Sequence, residues 1–391
     1  MAGHRGEAEM AKNALLDLQR FGQSIWYDYI KRSLLASGEL RQLVERDGVR
    51  GVTSNPAIFE KAIAGSADYD DAIGRLCARG IVSPLEIFEH LAVEDIRRAA
   101  DVLAPVYEQT AARDGYVSLE VSPRLAYETA ATVAEAQRLW AAVGRPNVMI
   151  KVPATPQGLP AIRRLIGEGI NINITLLFAR QVYEAVAEAY IGGLEDLAAR
   201  GGDLGRMASV ASFFVSRIDT LIDGLIETRL ATVTDTRERA LLESLVGKVA
   251  IANARLAYQS YGRIFATDRW RALAARGAKT QRLLWASTGT KNPRYSETLY
   301  VDELIGPDTV NTVPVATLAS FREHGRPRAS LTEAVDTAAE TMARLETAHI
   351  SMDAVTDQLL EQGVELFADA FDKLLAAIEG KRDVVRAAAS V

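Results

Sequence analysis

The sequence has a single cysteine, Cys77, among its 391 residues. One cysteine cannot form a disulfide within the chain or supply a cysteine-rich zinc site, so Cys77 is most simply a small buried hydrophobe. Histidines are also few. The four of them are scattered, without the spacing typical of metal ligands: His4, His90, His324 and His349.

A net positive charge and long apolar runs are absent as well. Lysine and arginine number 45 against 51 acidic residues, a formal net charge of −6 that gives no electrostatic footprint for nucleic acid. No stretch approaches the roughly 20 apolar residues of a membrane span, and residues 1–7 lack the apolar core of a signal peptide. We therefore predict a protein of the reducing cytoplasm without a nucleic-acid or membrane partner.

What is present is the composition of an ordinary globular protein, with 48% apolar and 25% charged residues. A chain of 391 residues is long enough for one large domain or two ordinary ones. No repeat, low-complexity segment or linker divides the sequence, so we predict one domain over residues 1–391.

Strand patterns alternate with helical patterns along the chain. Helical segments include 33–46, insertions at about 57–113 and 218–280, and a tail at about 318–391. This alternation favours βαβ units and a parallel sheet. The number of strands favours an α/β fold of the (β/α)8 TIM-barrel type over an open sheet, and no glycine-rich phosphate loop follows the first strand. The predicted strands are 24–30, 48–56, 116–121, 148–155, 170–178, 207–214, 281–289 and 308–314.

Lys151 interrupts an apolar strand pattern. Strand alternation places Val148, Ile150 and Val152 on one face and Lys151 with Met149 on the other. An ammonium group in such a strand is costly to bury unless it is paired, neutralised or used, and a neutral amine can attack a carbonyl to form a Schiff base. The alternative is a lysine whose stem crosses the edge of a barrel and whose charged end reaches water.

Polar side chains recur late in the predicted strands. In a (β/α)8 barrel the late strand positions meet at the carboxyl end, where active sites lie. Any one of them has an alternative explanation as an ordinary polar residue, but together they predict one pocket around a reactive lysine. The polar residues of this set are Asp28, Asn55, Glu120, Lys151, Thr175 and Ser212.

These motifs resemble those of the transaldolases, members of the class I Schiff-base aldolase superfamily. Residues 150–155 and 169–178 are similar to the lysine strand of that family and the strand after it. Residues 51–56, 118–121 and 212–217 resemble its second, third and sixth strand motifs, in the expected order. The long helical segments and the tail resemble the longer branch of the family, found in actinobacteria and cyanobacteria.

The resemblance implies a reaction. Transaldolases move a dihydroxyacetone unit from sedoheptulose 7-phosphate or fructose 6-phosphate to glyceraldehyde 3-phosphate or erythrose 4-phosphate, in the non-oxidative pentose phosphate pathway. By the same resemblance Lys151 forms the Schiff base, and Asp28 takes and returns the hydroxyl proton when the carbon–carbon bond breaks and forms. Glu120 with Thr175 holds a water that shuttles protons. No metal or other cofactor is implied, because the protonated imine accepts the electrons.

The resemblance also implies a set of substrate-binding residues. Arg217 follows a strand at the start of a helix, a position that suits a phosphate group. Shorter transaldolases carry a second phosphate-binding arginine after the seventh strand, and residues 286–291 contain none. Lys291 is the candidate replacement, as a point charge without a bidentate fork, and Ser287 is a weaker candidate. The other predicted substrate-binding residues are Thr53, Asn55, Asn173, Ser212 and Phe214.

Two rival functions remain open. A fructose-6-phosphate aldolase of the same superfamily cleaves rather than transfers, but that branch has shorter chains, with glutamine and tyrosine at the positions of Glu120 and Phe214. A catalytically silent sugar-phosphate-binding barrel has no need of Lys151 and its neighbouring carboxylates. The helical tail could also form a subunit interface, so a homo-oligomer is left open.

Overall fold

Eight parallel strands form a closed barrel in the computed structural model of the chain, which describes residues 13–389. The predictions made on residues 1–7, and His4, therefore lie outside the described residues. Each strand pairs with the next in sequence, and the last pairs with the first, with Ser24 opposite Val310. The strands are β1 Gln23–Tyr27, β2 Gly51–Thr53, β3 Tyr116–Glu120, β4 Val148–Pro153, β5 Ile172–Leu177, β6 Ser209–Phe214, β7 Arg282–Ala286 and β8 Thr309–Val313.

Helices surround this barrel, and the (β/α)8 prediction is confirmed. Short 3-10 turns lie at Leu18–Phe21, Pro123–Leu125, Leu204–Arg206 and Ser330–Thr332. The α-helices of the described residues are α1 Ala14–Asp17, α2 Arg32–Ala36, α3 Glu39–Asp47, α4 Pro56–Ala64, α5 Asp70–Ala78, α6 Pro84–Gln109, α7 Thr129–Val143, α8 Gly158–Gly167, α9 Arg180–Ala199, α10 Ser216–Leu230, α11 Thr236–Leu245, α12 Val249–Ile264, α13 Asp268–Ala274, α14 Leu299–Asp302, α15 Val315–His324, α16 Val335–Thr347 and α17 Met352–Ala389.

The strands are buried on both faces, as expected when helices cover a parallel barrel on the outside and side chains fill it on the inside. Inside, the indole of Trp26 fills the space next to Gly51. A Cβ atom on Gly51 would lie 2.4 Å from that ring, so a larger residue on β2 would displace it. Each predicted strand overlaps an observed one.

Three local predictions were wrong. The first strand ends at Tyr27 rather than at residue 30, so Asp28 lies just beyond it. The predicted helix 33–46 is two helices, α2 and α3, separated by Gly38 in the left-handed region at φ 78°. A left-handed residue cannot continue a right-handed helix, and glycine adopts that conformation without steric cost. Cys77 is partly exposed rather than buried.

The tail ends in the 38-residue helix α17. This helix packs along α4, α5 and α6 on one side of the barrel, and it also contacts β5 and α10. These contacts carry its middle part across the carboxyl end of the strands. Among residues 13–389, none of the helices is both long and apolar enough to cross a membrane.

Candidate active site

A cavity of about 140 Å³ opens at the carboxyl end of the barrel. Ten of the twelve predicted site residues line this cavity, and the other two, Glu120 and Asn173, bond to or contact lining residues. The late strand positions therefore converge as the barrel pattern predicts. The ten are Asp28, Thr53, Asn55, Lys151, Thr175, Ser212, Phe214, Arg217, Ser287 and Lys291.

Lys151 lies inside the barrel on β4, with only 5% of its surface exposed. Its Nζ atom donates a hydrogen bond to the backbone oxygen of Ser54 at 3.1 Å and lies 3.2 Å from Oε2 of Glu120. That Glu120 oxygen accepts no well-aligned hydrogen bond, so charge rather than a directed bond holds the pair. The predicted alternative, a lysine end that reaches water, does not fit this burial.

Two carboxyl groups share the site with Lys151. Burial raises the pKa of Glu120, the charge of Lys151 opposes that rise, and the charge of Asp28 adds to it. Burial also raises the pKa of Asp28, against a hydrogen bond from Thr53 and the charges of Lys151 and Lys291, all of which lower it. A carboxyl group with a raised pKa keeps its proton to higher pH than an ordinary carboxyl group, which suits general acid–base chemistry.

A hydroxyl network holds Asp28 in place. Thr53 on β2 lies 2.6 Å from Oδ1 of Asp28, and its hydroxyl donates to that oxygen. The Thr53 hydroxyl also lies 2.6 Å from the hydroxyl of Thr312 on β8. These contacts join β1, β2 and β8 at the point where the barrel closes, so the Asp28 carboxylate is fixed by both neighbouring strands.

Thr175 lies on β5 next to a strained turn of the backbone. Its hydroxyl is buried and has no hydrogen-bond partner among the described residues. The following residue, Leu176, has φ 59°, and the pairing of β5 with β6 shifts between Ile174 and Leu177. A strained bulge of this kind is common beside active sites, where it redirects a side chain.

Asn173 does not line the cavity. It is fully buried, its amide group donates to Ser118 at 3.0 Å, and its oxygen accepts from Ser212 at 2.6 Å. Asn55, which does line the cavity, caps α4 by accepting a hydrogen bond from Ile58 at 3.0 Å. In this structure Asn173 therefore supports Ser212, and Asn55 keeps its amide nitrogen available.

Arg217 is the second residue of α10 and lies between two aromatic rings. Its guanidinium carbon is 5.3 Å from the ring centre of Phe214 and 5.9 Å from that of Phe367. Burial lowers the pKa of Arg217, and no carboxylate of residues 13–389 forms an ion pair with it. A half-buried cation that lines a cavity at a helix N-terminus, without a partner of its own, is suited to hold an anion.

The second predicted anion contact lies after β7. Ser287 has φ 55°, and its hydroxyl lies 2.9 Å from that of Ser216 at the start of α10. Lys291 is exposed at the rim and lines the cavity. Ser287 therefore lies beside the start of α10, the helix that carries Arg217, while Lys291 lies at the rim of the same cavity.

The chain matches a family model described as Transaldolase/Fructose-6-phosphate aldolase over residues 25–378. It is 50% identical over 374 residues to the transaldolase of Trichodesmium erythraeum, covering 95% of this chain and 98% of the relative. A transaldolase 2 of Nostoc sp. is 50% identical over 375 residues, covering 95% of this chain and 98% of the relative. The transaldolase of Saccharopolyspora erythraea is 48% identical over 378 residues, covering 96% and 99%.

The chain belongs to the transaldolase family. The alignments run over nearly the full length of these relatives. The transaldolase-family similarity therefore extends beyond the barrel strands to the helical segments and the tail. Among residues 13–389, no three histidine, cysteine, aspartate or glutamate side chains are grouped so that they could hold a metal ion.

Five lining residues of this transaldolase-family site were missed by the sequence reasoning. Thr312 lies late on β8, the same signal that identified Asp28 and Thr175, and could have been found by it. Phe367 lies on α17, far from every strand in sequence, and no local pattern distinguishes it from the other apolar residues of that helix. The remaining additional lining residues are Ala286, Gly289 and Pro314.

Proposed function

We propose that the protein catalyses the transaldolase reaction through a Schiff base on Lys151. It moves a dihydroxyacetone unit from sedoheptulose 7-phosphate or fructose 6-phosphate to glyceraldehyde 3-phosphate or erythrose 4-phosphate. The observation that carries this proposal is the buried Lys151, 3.2 Å from the Glu120 carboxyl, in a cavity that also holds Asp28. The proposed setting is the non-oxidative pentose phosphate pathway of the cytoplasm.

The first step forms the covalent bond. Glu120 takes a proton from the Lys151 ammonium group, and the neutral amine attacks the ketose carbonyl carbon. The resulting carbinolamine loses water, with Glu120 and the nearby hydroxyl of Thr175 holding that water and moving its protons. The iminium that remains can accept an electron pair.

The second step breaks the carbon–carbon bond. Asp28 takes the proton of the hydroxyl group next to that bond, the aldose phosphate leaves as an aldehyde, and the bonding electrons form an enamine on Lys151. The Thr53 hydrogen bond keeps the Asp28 carboxylate oriented for this task. An acceptor aldehyde then reverses the step, and Asp28 returns the proton to the new hydroxyl group.

Two cations suit the phosphate groups of the sugars. Arg217 has a planar fork that binds a phosphate with two hydrogen bonds, and its burial makes an unpaired charge costly until an anion arrives. Lys291 offers a single charge at the exposed rim. We assign the donor and acceptor phosphate to Arg217, with Lys291 as the supplementary contact.

The rival aldolase reaction is less well supported. The curated relatives considered above carry the name transaldolase, and the chain has Glu120 and Phe214 where the resemblance places glutamine and tyrosine in the aldolase branch. A silent barrel leaves unexplained why a buried lysine and two buried carboxyl groups meet in one cavity.

The test is a two-substrate assay with fructose 6-phosphate and erythrose 4-phosphate. Transfer yields sedoheptulose 7-phosphate and glyceraldehyde 3-phosphate, and both products depend on both substrates. Equal release of glyceraldehyde 3-phosphate and dihydroxyacetone from fructose 6-phosphate alone, at a rate unaffected by erythrose 4-phosphate, identifies the aldolase. Binding of fructose 6-phosphate without any product identifies the silent barrel.

A further inference from the structure

The ring of Phe367 covers the reactive lysine. Only 7% of Phe367 is exposed, and its ring centre lies 5.9 Å from Nζ of Lys151. It lies at the same distance, 5.9 Å, from the guanidinium carbon of Arg217. One side chain of α17 therefore covers both the nucleophile and the cation that we assign to the phosphate group.

A glycine lets α17 approach this closely. Gly363 lies one helical turn before Phe367 and faces the strained end of β5. A Cβ atom added at Gly363 would lie 2.9 Å from Cδ2 of Leu176 and 3.7 Å from a guanidinium nitrogen of Arg217. A larger residue here would have to displace the Leu176 side chain, so glycine allows α17 to lie close to β5 at this turn.

Contacts beyond Phe367 hold the helix in this position. The ring of Phe371, the next turn, packs edge to face against Phe88 of α6 at 5.6 Å. Further along, Lys381 donates to the Ser66 backbone oxygen at 2.9 Å and to Asp70 at 2.6 Å. Helix α17 is thus attached to the helices on one side of the barrel, while its Phe367 side chain extends over the cavity.

The covered cavity has room for the covalent intermediate. Its volume of about 140 Å³ is small beside the roughly 300–1,000 Å³ of usual small-molecule pockets. The three-carbon unit left on Lys151 after the aldose phosphate departs fits this volume.

We propose that Phe367 is a specificity-determining residue that keeps solvent from the covalent three-carbon intermediate and thereby makes the enzyme a transferase rather than an aldolase. This inference rests on the proposed function. An apolar ring over a reactive intermediate excludes water and prevents hydrolysis as a side reaction.

The covalent intermediate has two fates, which differ in whether an acceptor aldehyde or a solvent proton reacts with the enamine carbon. In transfer, the enamine carbon attacks an acceptor aldehyde and the product ketose leaves after hydrolysis of its imine. In the side reaction, a proton from solvent adds to the enamine carbon and gives an iminium. Water then adds to the iminium carbon, the carbon–nitrogen bond to Lys151 breaks, and dihydroxyacetone leaves with the water oxygen, which returns the lysine as an ammonium group.

The test compares two rates for each variant with fructose 6-phosphate as donor. Glyceraldehyde 3-phosphate released without acceptor, beyond the first turnover, measures hydrolysis, and sedoheptulose 7-phosphate formed with erythrose 4-phosphate measures transfer. We expect Phe367→Ala to raise the ratio of hydrolysis to transfer by at least about tenfold, because solvent reaches the intermediate once the aromatic ring is removed. Phe367→Leu keeps more apolar volume and should raise the ratio less.

The matched control is Phe371→Leu, which removes an aromatic ring from the same helix outside the Lys151 cavity. We expect it to retain the wild-type ratio. A wild-type ratio in the Phe367 variants overturns the inference, and so does an equal rise in Phe371→Leu, which would trace the effect to loosening of α17. If the proposed function itself is wrong, the wild-type enzyme forms no sedoheptulose 7-phosphate, a result distinct from either.

Discussion

At the scale of single residues, the site is organised by a buried ion pair. Lys151 and Glu120 have side chains only 6% exposed, and the cost of taking both charges out of water can exceed the energy of their attraction. Asp28 adds a second carboxyl group and raises the pKa of Glu120 further. The proposed proton transfers need this arrangement, and stability alone does not explain it.

Glu120→Gln should slow transfer strongly. Glutamine keeps the size of the side chain but cannot exchange a proton with Lys151 or with the water of the carbinolamine step. We expect kcat to fall by about 100-fold or more, the usual contribution of a general acid–base group, with a smaller change in KM. Steady-state kinetics with fructose 6-phosphate and erythrose 4-phosphate measure both constants.

Glu135→Gln is the matched control for this prediction. Glu135 lies on α7, where it accepts a hydrogen bond from the Ser122 backbone at 3.0 Å, and it forms no ion pair with Lys151. Its variant should have the kcat of the wild type. Unchanged kinetics in Glu120→Gln would remove Glu120 from the mechanism.

At the scale of elements, strand alternation with late polar residues was enough to place six of the twelve predicted site residues, and the family resemblance supplied the other six. Strand alternation worked because each strand runs from the same end of the barrel, so that position along the strand determines depth. It missed the break at Gly38 and the bulge at Leu176, since both depend on backbone angles that the apolar pattern does not encode. The family resemblance made Asn173 a substrate-binding candidate, and its position behind Ser212 depends on tertiary packing that strand alternation does not give.

Helix α10, which carries Arg217, is tied to the rest of the fold by buried aspartates. Asp219 accepts hydrogen bonds from the Ala250 backbone at 2.8 Å and from the Tyr300 hydroxyl at 2.9 Å. Asp223 accepts from the hydroxyl of Tyr295, in the segment that follows Lys291, at 2.5 Å. The two cations of the site thus lie on segments that these aspartates connect.

Asp219→Asn should remove a pH dependence of stability. Burial raises the pKa of Asp219 to about 7, so the folded state holds this proton to higher pH than the unfolded state. Stability therefore falls as the pH rises from about 4, the ordinary aspartate value, to about 7. Between pH 5 and pH 8, the free energy of unfolding of the wild type should fall by about 2 kcal/mol relative to that of the variant.

Urea unfolding at the two pH values measures this difference. Asp357→Asn changes an exposed aspartate of α17 and serves as the control, with the pH dependence of the wild type expected. If Asp219→Asn shows the same pH dependence as Asp357→Asn, the Asp219 carboxyl does not titrate differently in the folded and unfolded chain.

At the scale of the whole molecule, the barrel has a buried ion pair at the amino end of its strands and the candidate active site at their carboxyl end. Inside the amino end, Arg282 of β7 lies 2.8 Å from Asp114, and both side chains are 5% exposed. Burial alone would raise the pKa of Asp114, but Arg282, with hydrogen bonds from Ser24 and Trp26, holds it below its usual range. The group thus links β7, β1 and the entry to β3.

Asp114→Ala should destabilise the folded protein by about 3–5 kcal/mol, because it leaves Arg282 as an unpaired buried charge. Adding Arg282→Met should restore a large part of this loss. Glu89→Ala, which removes the partner of the exposed Arg138, is the surface control and should cost less than about 1 kcal/mol. Urea unfolding gives all four free energies, and a double variant no more stable than Asp114→Ala contradicts this account.

The position of the tail could not be predicted from the sequence. Its helical pattern was evident, but the pattern shows only that α17 has an apolar side and not which part of the barrel that side covers. Phe367 therefore entered the site through tertiary packing alone. We propose that residues 1–391 form one domain, because α17 contacts both the surrounding helices and β5.

The most direct test of the central claim is borohydride reduction of the protein with fructose 6-phosphate, followed by intact-mass measurement and peptide mapping. Borohydride reduces an iminium to a stable amine, so the account predicts a reduced three-carbon adduct on Lys151 in the wild type and none in a folded Lys151→Ala variant. Absence of any adduct, under conditions that trap a transaldolase of known activity, would contradict the Schiff-base mechanism. So would an adduct on another lysine that persists in Lys151→Ala.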